Sequence, residues 1–279
     1  LSAAPHPASI LPARIEPAFE VIAGDAAGGL LFLADHASNA VPDDLHGLGL
    51  PPAELRRHIA WDIGVEPVTR ALAARFGAPA VLSRFSRLVI DPNRGGDDPT
   101  LVMRIADGAL VPGNARIGAE ETARRHRRFY APYDDAIGAA IEAMTAAGPP
   151  PAIVSLHSFT PEMKGRTRPW HIGVLWDCDP RLPLPFLAAA RRESGLIVGD
   201  NEPYDGALVG DTLHRHATAR GLANILIELR QDLIDTDEGA ARWANRLEPL
   251  LRAALAAPDI HEIRHHESRA PARIRQRRG

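Results

Sequence analysis

Three apolar runs in this 279-residue chain end on a side chain fit for metal or acid–base chemistry. LLFLAD (30–35) delivers His36, AIVSL (152–156) delivers His157, and NILI (224–227) delivers Glu228. A single histidine at a strand end is ordinary packing. Three strands ending in His, His and Glu point to a site, because ligands of open α/β sheets collect where the carboxyl ends of strands and their loops converge. Two imidazoles suit zinc or another divalent metal, which takes a third protein ligand and keeps one position open in catalytic centres. Asp35, Asp43, Asp44 and Asp62 are the carboxylates at hand for the third place. Asp62 is favoured: Ile59, Trp61 and Ile63 give it a half-buried setting early in a helix, where an unpartnered carboxylate is costly. A surface aspartate paired with an arginine is the plainer alternative. Glu228 has the character of a general base beside a water activated by a metal. Arg230, two residues on, faces the same side of the strand, so a sheet-end ion pair is the competing reading.

A second group of polar residues surrounds these. SRFSRLVIDPNRGGDD (83–98) gathers Arg84, Arg87, Asp91, Asn93 and Arg94 around one expected strand. Arginine offers a planar fork matched to carboxylates, so Arg94 is a candidate anchor for an acidic substrate. DPNRGG is also a turn by composition, and a turn would fix such an anchor. LHSFTP and RPWHIG add Ser158, Thr160, Arg168 and His171 near the second histidine. GDNEPYDG supplies Asn201 and Tyr204, which either contact substrate or shape a turn. The intervening PEMKGRTRPW (161–170) is either a loop that covers the site or ordinary surface.

Apolar runs alternate with helical patterns through most of the chain, which predicts an α/β fold with a mostly parallel central sheet covered on both faces. Expected strands are FEVIA (19–23), LLFLA (30–34), AVLS (80–83), RLVID (87–91), AIVSLH (152–157), HIGVLW (171–176), LIVGD (196–200) and ANILIE (223–228). Expected helices cover 51–77, 119–148 with a kink at Pro132, 182–195, 211–221 and 239–257. GPPPA (148–152) reads as a tight turn, giving one domain over 1–263 and a basic, flexible tail over 264–279.

The formal net charge of −3 gives no reason to expect nucleic acid, and the arginines of the tail lack interleaved aromatics. No apolar run approaches the roughly 20 residues of a membrane helix. The start, LSAAPHPASILPARIEP, is cut by prolines and does not read as a secretory signal. Cys178 is the single cysteine, which excludes an intrachain disulfide and fits a cytoplasmic setting. Oligomeric state leaves no mark on the sequence.

LADHASNAVP, AWDIG, SRLVIDPNR, LHSFTP, RPWHIGVLWD, DNEPYDG and IELRQDLI, in this order, resemble the N-formylglutamate amidohydrolase family. The likeness runs from about residue 19 to 256 and extends to zinc carboxypeptidases and to acylases that act on acetyl- or succinyl-amino acids. It implies their hydrolase fold, a mixed sheet with helices on both faces, and metal-assisted hydrolysis of an N-acyl amino acid, N-formylglutamate, in histidine breakdown. By position it implies zinc on His36 and His157, Glu228 as base, and Asn93-Arg94 as the grip on a substrate carboxylate. Arg168 or Arg230 would hold a second carboxylate, and Arg87 would stabilise the oxyanion. Relatives carry Glu three residues after the first histidine; here Asn39 stands there, and Asp62 replaces it on physical grounds alone. An amidohydrolase for another N-acyl amino acid and a non-catalytic binder of acidic metabolites are the alternatives.

Overall fold

A computed structural model describes residues 17–270, so the proline-cut start and residues 271–279 of the basic tail lie outside the described residues. Seven strands, β1 (Phe19–Ile22), β2 (Leu30–Ala34), β3 (Ala80–Ser83), β4 (Ala152–Phe159), β5 (Ile172–Leu175), β6 (Val198–Asp200) and β7 (Asn224–Arg230), build one sheet in the order β1-β3-β2-β4-β7-β5-β6. β3, β2, β4 and β7 run parallel, β1 is antiparallel to β3, and β5 is antiparallel to β7 but parallel to β6. The result is a mixed, mostly parallel α/β sheet, as the alternating pattern predicts. Among the described residues six α-helices follow in chain order: α1 (Val65–Phe76), α2 (Ala119–Arg125), α3 (Ala131–Ala147), α4 (Pro183–Ala190), α5 (Thr212–His216) and α6 (Asp237–Leu255). None among the described residues is long and apolar enough to cross a membrane.

Strand side chains alternate between faces, and the two cores follow that parity. Leu30, Phe32 and Ala34 of β2 pack with α1, α4 and α6, whereas Leu31 and Leu33 pack with α3 and α5. On β4, Ala152, Val154 and Leu156 take the first face and Ile153 the second; on β7, Ile225, Ile227 and Leu229 take the first and Leu226 the second. Parity therefore carries Asp35, Ser155, His157 and Glu228 to the face of α3 and α5. Each fully buried large side chain such as Phe32 contributes roughly 1.5–3 kcal/mol of transfer free energy to this scaffold. Asp134 of α3 ties that helix to α5, meeting His216 Nε2 at 2.6 Å and accepting from Arg215 Nε at 3.0 Å.

Several expected elements are corrected. RLVID (87–91) is a buried turn, not a strand: Ser86 Oγ accepts from Leu88 N, and the carbonyls of Leu88 and Val89 accept from the Asn114 amide and the Arg125 guanidinium. Side chains thus satisfy a backbone that a strand would have paired to its neighbours. The helix expected over 51–77 begins only at Val65. Its forerunner is spent on tertiary bonds, since Asp62 N donates to His36 O and Ala60 O accepts from Ser86 Oγ and Arg87 N. Asp62 accordingly sits in a loop, not early in a helix. The long 119–148 helix contains a π turn over His126–Tyr130, where Ala131 N donates to His126 O. Pro132 lacks the N–H that a regular helix would offer to Arg128 O, and the wider turn absorbs the mismatch. PEMKGRTRPW folds as a small hairpin, Glu162–Met163 against Arg166–Thr167, turned by Lys164 and Gly165 at φ 51° and 73°.

Arg264 N donates to Gly221 O at 2.8 Å, and Arg269 donates to Trp176 O at 2.7 Å and to Asp205 Oδ1 at 3.0 Å. Residues 264–270 therefore lie bonded along the body.

Gly64 closes the Asp62 loop at φ 80°, and a Cβ there would collide with the Ile234 carbonyl. Gly64→Ala is expected to cost more than about 1 kcal/mol, since the substituted residue meets both a left-handed backbone and a fixed wall. Urea unfolding measures it, and an unchanged midpoint would refute this account of the loop.

Candidate active site

His36 is the second residue after β2, in the turn that follows, His157 lies on β4, and Glu228 on β7 stands opposite His157 in the parallel register. Asp62 comes to them from the loop before α1, held by its own backbone bond to His36 O at 3.0 Å. Its Oδ2 is shared: His36 Nδ1 faces it at 3.3 Å and His157 Nδ1 at 2.9 Å. The two rings lie 5.0 Å apart, nearly perpendicular at 77°. One donor atom from each of His36, Asp62 and His157 falls within 4.8 Å of the others, and all three residues are buried.

The outward nitrogens are equally committed. His36 Nε2 faces Asp91 Oδ1 at 2.7 Å, and His157 Nε2 faces Asp35 Oδ2 at 3.1 Å. An ionised carboxylate only accepts, so Asp91 and Asp35 can each hold a proton on Nε2, and a metal bound between the rings would take Nδ1 in place of the proton that faces Asp62 Oδ2. Asp91 is braced by Arg87 Nη2 at 2.8 Å and by Asn93 N at 2.9 Å, the latter an Asx turn built by DPN. Asp35 accepts from Tyr133 OH at 2.9 Å and Thr212 Oγ1 at 2.8 Å.

Burial alone would raise all three aspartates. Instead the imidazoles, His36 foremost, hold Asp62 below the usual carboxylate range. Arg87 and His36 do the same for Asp91, and His157 for Asp35. His157 moves the opposite way: burial opposes its charge, but bonds from Asp35 and Asp62 raise it well above an ordinary histidine. Three aspartates held below the usual carboxylate range thus face Arg87 and the two histidines. A divalent cation fits this donor set, two imidazole nitrogens and a carboxylate oxygen, and it would balance the negative excess.

A cavity of about 270 Å³ opens over the cluster, lined by His36, Asp62, His157, Glu228 and Arg87, with Asn93, Arg94 and Tyr204 further out. Ser158, Asp205, Leu208 and Asp211 complete parts of its wall. Glu228 Oε2 is buried without a hydrogen-bond partner, the expected state of a carboxylate reserved for a ligand or water.

Three residues singled out from the sequence are placed differently. Arg168 does not line this cavity, but its Nη1 donates to Tyr204 OH at 3.0 Å and its guanidinium stacks 5.0 Å above that ring, at the cavity's edge. Arg230 is paired with Asp232 at 2.8 Å and does not line the cavity. Its partner is a neighbour in sequence, not Glu228. Asn201 turns its side-chain oxygen to Trp176 N and Gly206 N at 2.9 and 3.0 Å, so it shapes the loop that carries Tyr204. Asn39 donates to Leu55 O at 2.8 Å, and the carboxylate that both histidines share is Asp62. Sequence reasoning missed Asp35 and Asp91 as partners of the histidines, although Asp35 adjoins His36 and Asp91 opens the DPNR turn.

Burial pushes Glu228 up to about 7, against the pull of His157 and with the push of Asp62. The folded value lies above the ordinary 4.5. Folded protein therefore keeps a proton that the unfolded chain releases, and stability falls as pH rises between those two values. Metal-free Glu228→Gln is expected to be more stable than the metal-free parent at about pH 8 and to lose that advantage by about pH 4. Urea midpoints decide it; a gap independent of pH would show that Glu228 carries no buried charge.

The model of the N-formylglutamate amidohydrolase family matches residues 28–235. A solved gene product of Agrobacterium tumefaciens is 37% identical and superposes with a TM-score of 0.82, covering 86% of this chain and 96% of its own. The N-formylglutamate amidohydrolase of Ralstonia eutropha, 24% identical with a TM-score of 0.63 over 87% of this chain and 98% of its own, shares the fold. Among curated proteins there is no match. Sheet, strand-end cluster and sequence agree: the chain belongs to the N-formylglutamate amidohydrolase family, hydrolases of an amide C–N bond.

Proposed function

We propose that this protein is a metal-dependent amidohydrolase that converts N-formyl-L-glutamate to L-glutamate and formate. The observation that carries the reading is the shared Asp62 oxygen between two imidazole Nδ1 atoms, beneath a cavity that also holds Glu228 and two arginines. His36, Asp62 and His157 would hold the metal, with zinc the best match to the donor set and other divalent ions acceptable to it. A metal held there would supply Lewis acidity for the formyl carbonyl and for the attacking water.

The chain's own groups do the rest. Arg94 and Asn93 take the substrate α-carboxylate, and the Arg168–Tyr204 pair at the cavity's edge takes the side-chain carboxylate. Glu228, ionised when the site is loaded, accepts the proton of the attacking water on Oε2 and returns it to the leaving amine nitrogen. Arg87 places fixed positive charge next to the reacting carbonyl, its orientation set by Asp91. Asp35 and Asp91 keep both histidines in the tautomer that presents Nδ1. Arg230 and Asn201 act on the scaffold, through Asp232 and the Tyr204 loop. The activity would serve histidine breakdown in the cytoplasm, a setting compatible with a single, unpaired Cys178.

Protein stripped with chelator and refilled with zinc is expected to release formate from N-formylglutamate faster than from acetyl- or succinyl-glutamate. Glu228→Gln should retain zinc and lose at least about 100-fold in kcat, the lower end for a general base. His36→Ala should lose the metal itself. Full zinc content and turnover in His36→Ala would remove the site as described. Equal rates on all three acyl donors would leave an amidohydrolase of different specificity.

A further inference from the structure

The hydrogen bonds around the cluster close into a circuit. His36 Nε2 meets Asp91 Oδ1 at 2.7 Å, and that oxygen accepts from Asn93 N at 2.9 Å. Asn93 Oδ1 accepts from Thr212 N at 3.0 Å, and Thr212 Oγ1 donates to Asp35 Oδ1 at 2.8 Å. Asp35 Oδ2 meets His157 Nε2 at 3.1 Å, and Asp62 Oδ2 joins His157 Nδ1 back to His36 Nδ1 at 2.9 and 3.3 Å. Two ends of the site share this circuit: the histidines and Asp62 on one side, Asn93 of the carboxylate grip on the other.

Thr212 serves both ends: its backbone N–H holds Asn93 and its hydroxyl holds Asp35 beside His157. It is fully buried at the first turn of α5 and does not line the cavity. Its N–H fixes the Asn93 amide, assigning the oxygen to Thr212 and the two amide donors to the cavity that Asn93 lines. Its hydroxyl, together with Tyr133 OH, holds the Asp35 carboxylate against His157. A shift of Asn93 on gripping a carboxylate is therefore a shift of the same residue that orients a histidine. Coupling of this kind is reciprocal: whatever the grip does to metal affinity, the metal does to the grip.

We infer that Thr212 is a positioning residue that couples carboxylate binding at Asn93 to metal binding at His157. The inference rests on the metal site proposed above. It assigns to Thr212 no contact with substrate or metal.

The test is zinc affinity of the full-length metal-free protein, measured by competition with a chromophoric chelator, with and without saturating L-glutamate. The unsubstituted protein is expected to bind zinc at least about fivefold more tightly with glutamate present, the lower range for coupled sites. Thr212→Val keeps the backbone N–H and the side-chain volume but removes the hydroxyl. It should weaken zinc binding by less than the roughly tenfold expected for losing Asp35, the outer partner of His157 itself, and reduce the glutamate effect severalfold. Thr212→Ser should restore both. Tyr133→Phe removes another Asp35 donor outside the circuit; it should weaken zinc binding but keep the glutamate effect. A zinc affinity indifferent to glutamate in the unsubstituted protein overturns the inference without any variant. So does a glutamate effect undiminished in Thr212→Val, or lost equally in Tyr133→Phe. Absence of zinc binding in the unsubstituted protein would instead remove the metal site on which the inference rests.

Discussion

One carboxylate oxygen organises this site. Asp62 Oδ2 lies between two imidazoles that come from strands more than a hundred residues apart in sequence, and it is buried with them. Burying a charge costs several kcal/mol unless partners compensate. Here compensation is distributed: Asp62 meets both histidines and Arg87, Asp91 meets Arg87 and His36, and Asp35 meets His157, Tyr133 and Thr212. Removing any one partner leaves another charge exposed to a low-dielectric interior, so the network is stiff. That stiffness is what a hydrolytic centre requires, because groups that are oriented in advance need no reorganisation when charge develops.

The scaffold achieves convergence through strand parity. Alternation sends Leu31, Leu33 and Asp35 of one strand run, Ile153, Ser155 and His157 of the next, and Leu226 and Glu228 of a third to the same face. The apolar members of each run fill the core under α3 and α5, and the last member, Asp35, His157 or Glu228, stands at the sheet's carboxyl edge, which His36 reaches from the turn after β2. A one-residue slip of register in β4 or β7 would send the histidine or the glutamate to the opposite face. The same residues that stabilise the sheet thus dictate where the reactive groups stand.

Much of this was legible in the sequence, and the gaps have physical causes. The strand runs and their terminal His, His and Glu could be read because buried parallel strands leave uninterrupted apolar signatures. RLVID failed because a buried turn with side-chain hydrogen bonds has the same apolar content as a buried strand. The helix start was placed too early at 51: apolar residues at helical spacing do not reveal that Ala60 and Asp62 spend their backbone groups on His36, Ser86 and Arg87. Arg230 was placed beside Glu228 by parity, which says nothing about a competing Asp232 in the next turn. Asp35 reads in the sequence only as a candidate ligand, and Asp91 and Thr212 carry no role there, because what they do depends on contacts between distant segments.

The central claim is that two histidines and Asp62 meet on one divalent cation, and crystals grown with zinc test it most directly. Anomalous scattering recorded on both sides of the zinc edge should give a single strong peak about 2.0–2.2 Å from the Nδ1 atoms of His36 and His157 and from an Asp62 carboxylate oxygen. A zinc-saturated crystal with its peak elsewhere, or with the histidines bound through Nε2, would contradict the account.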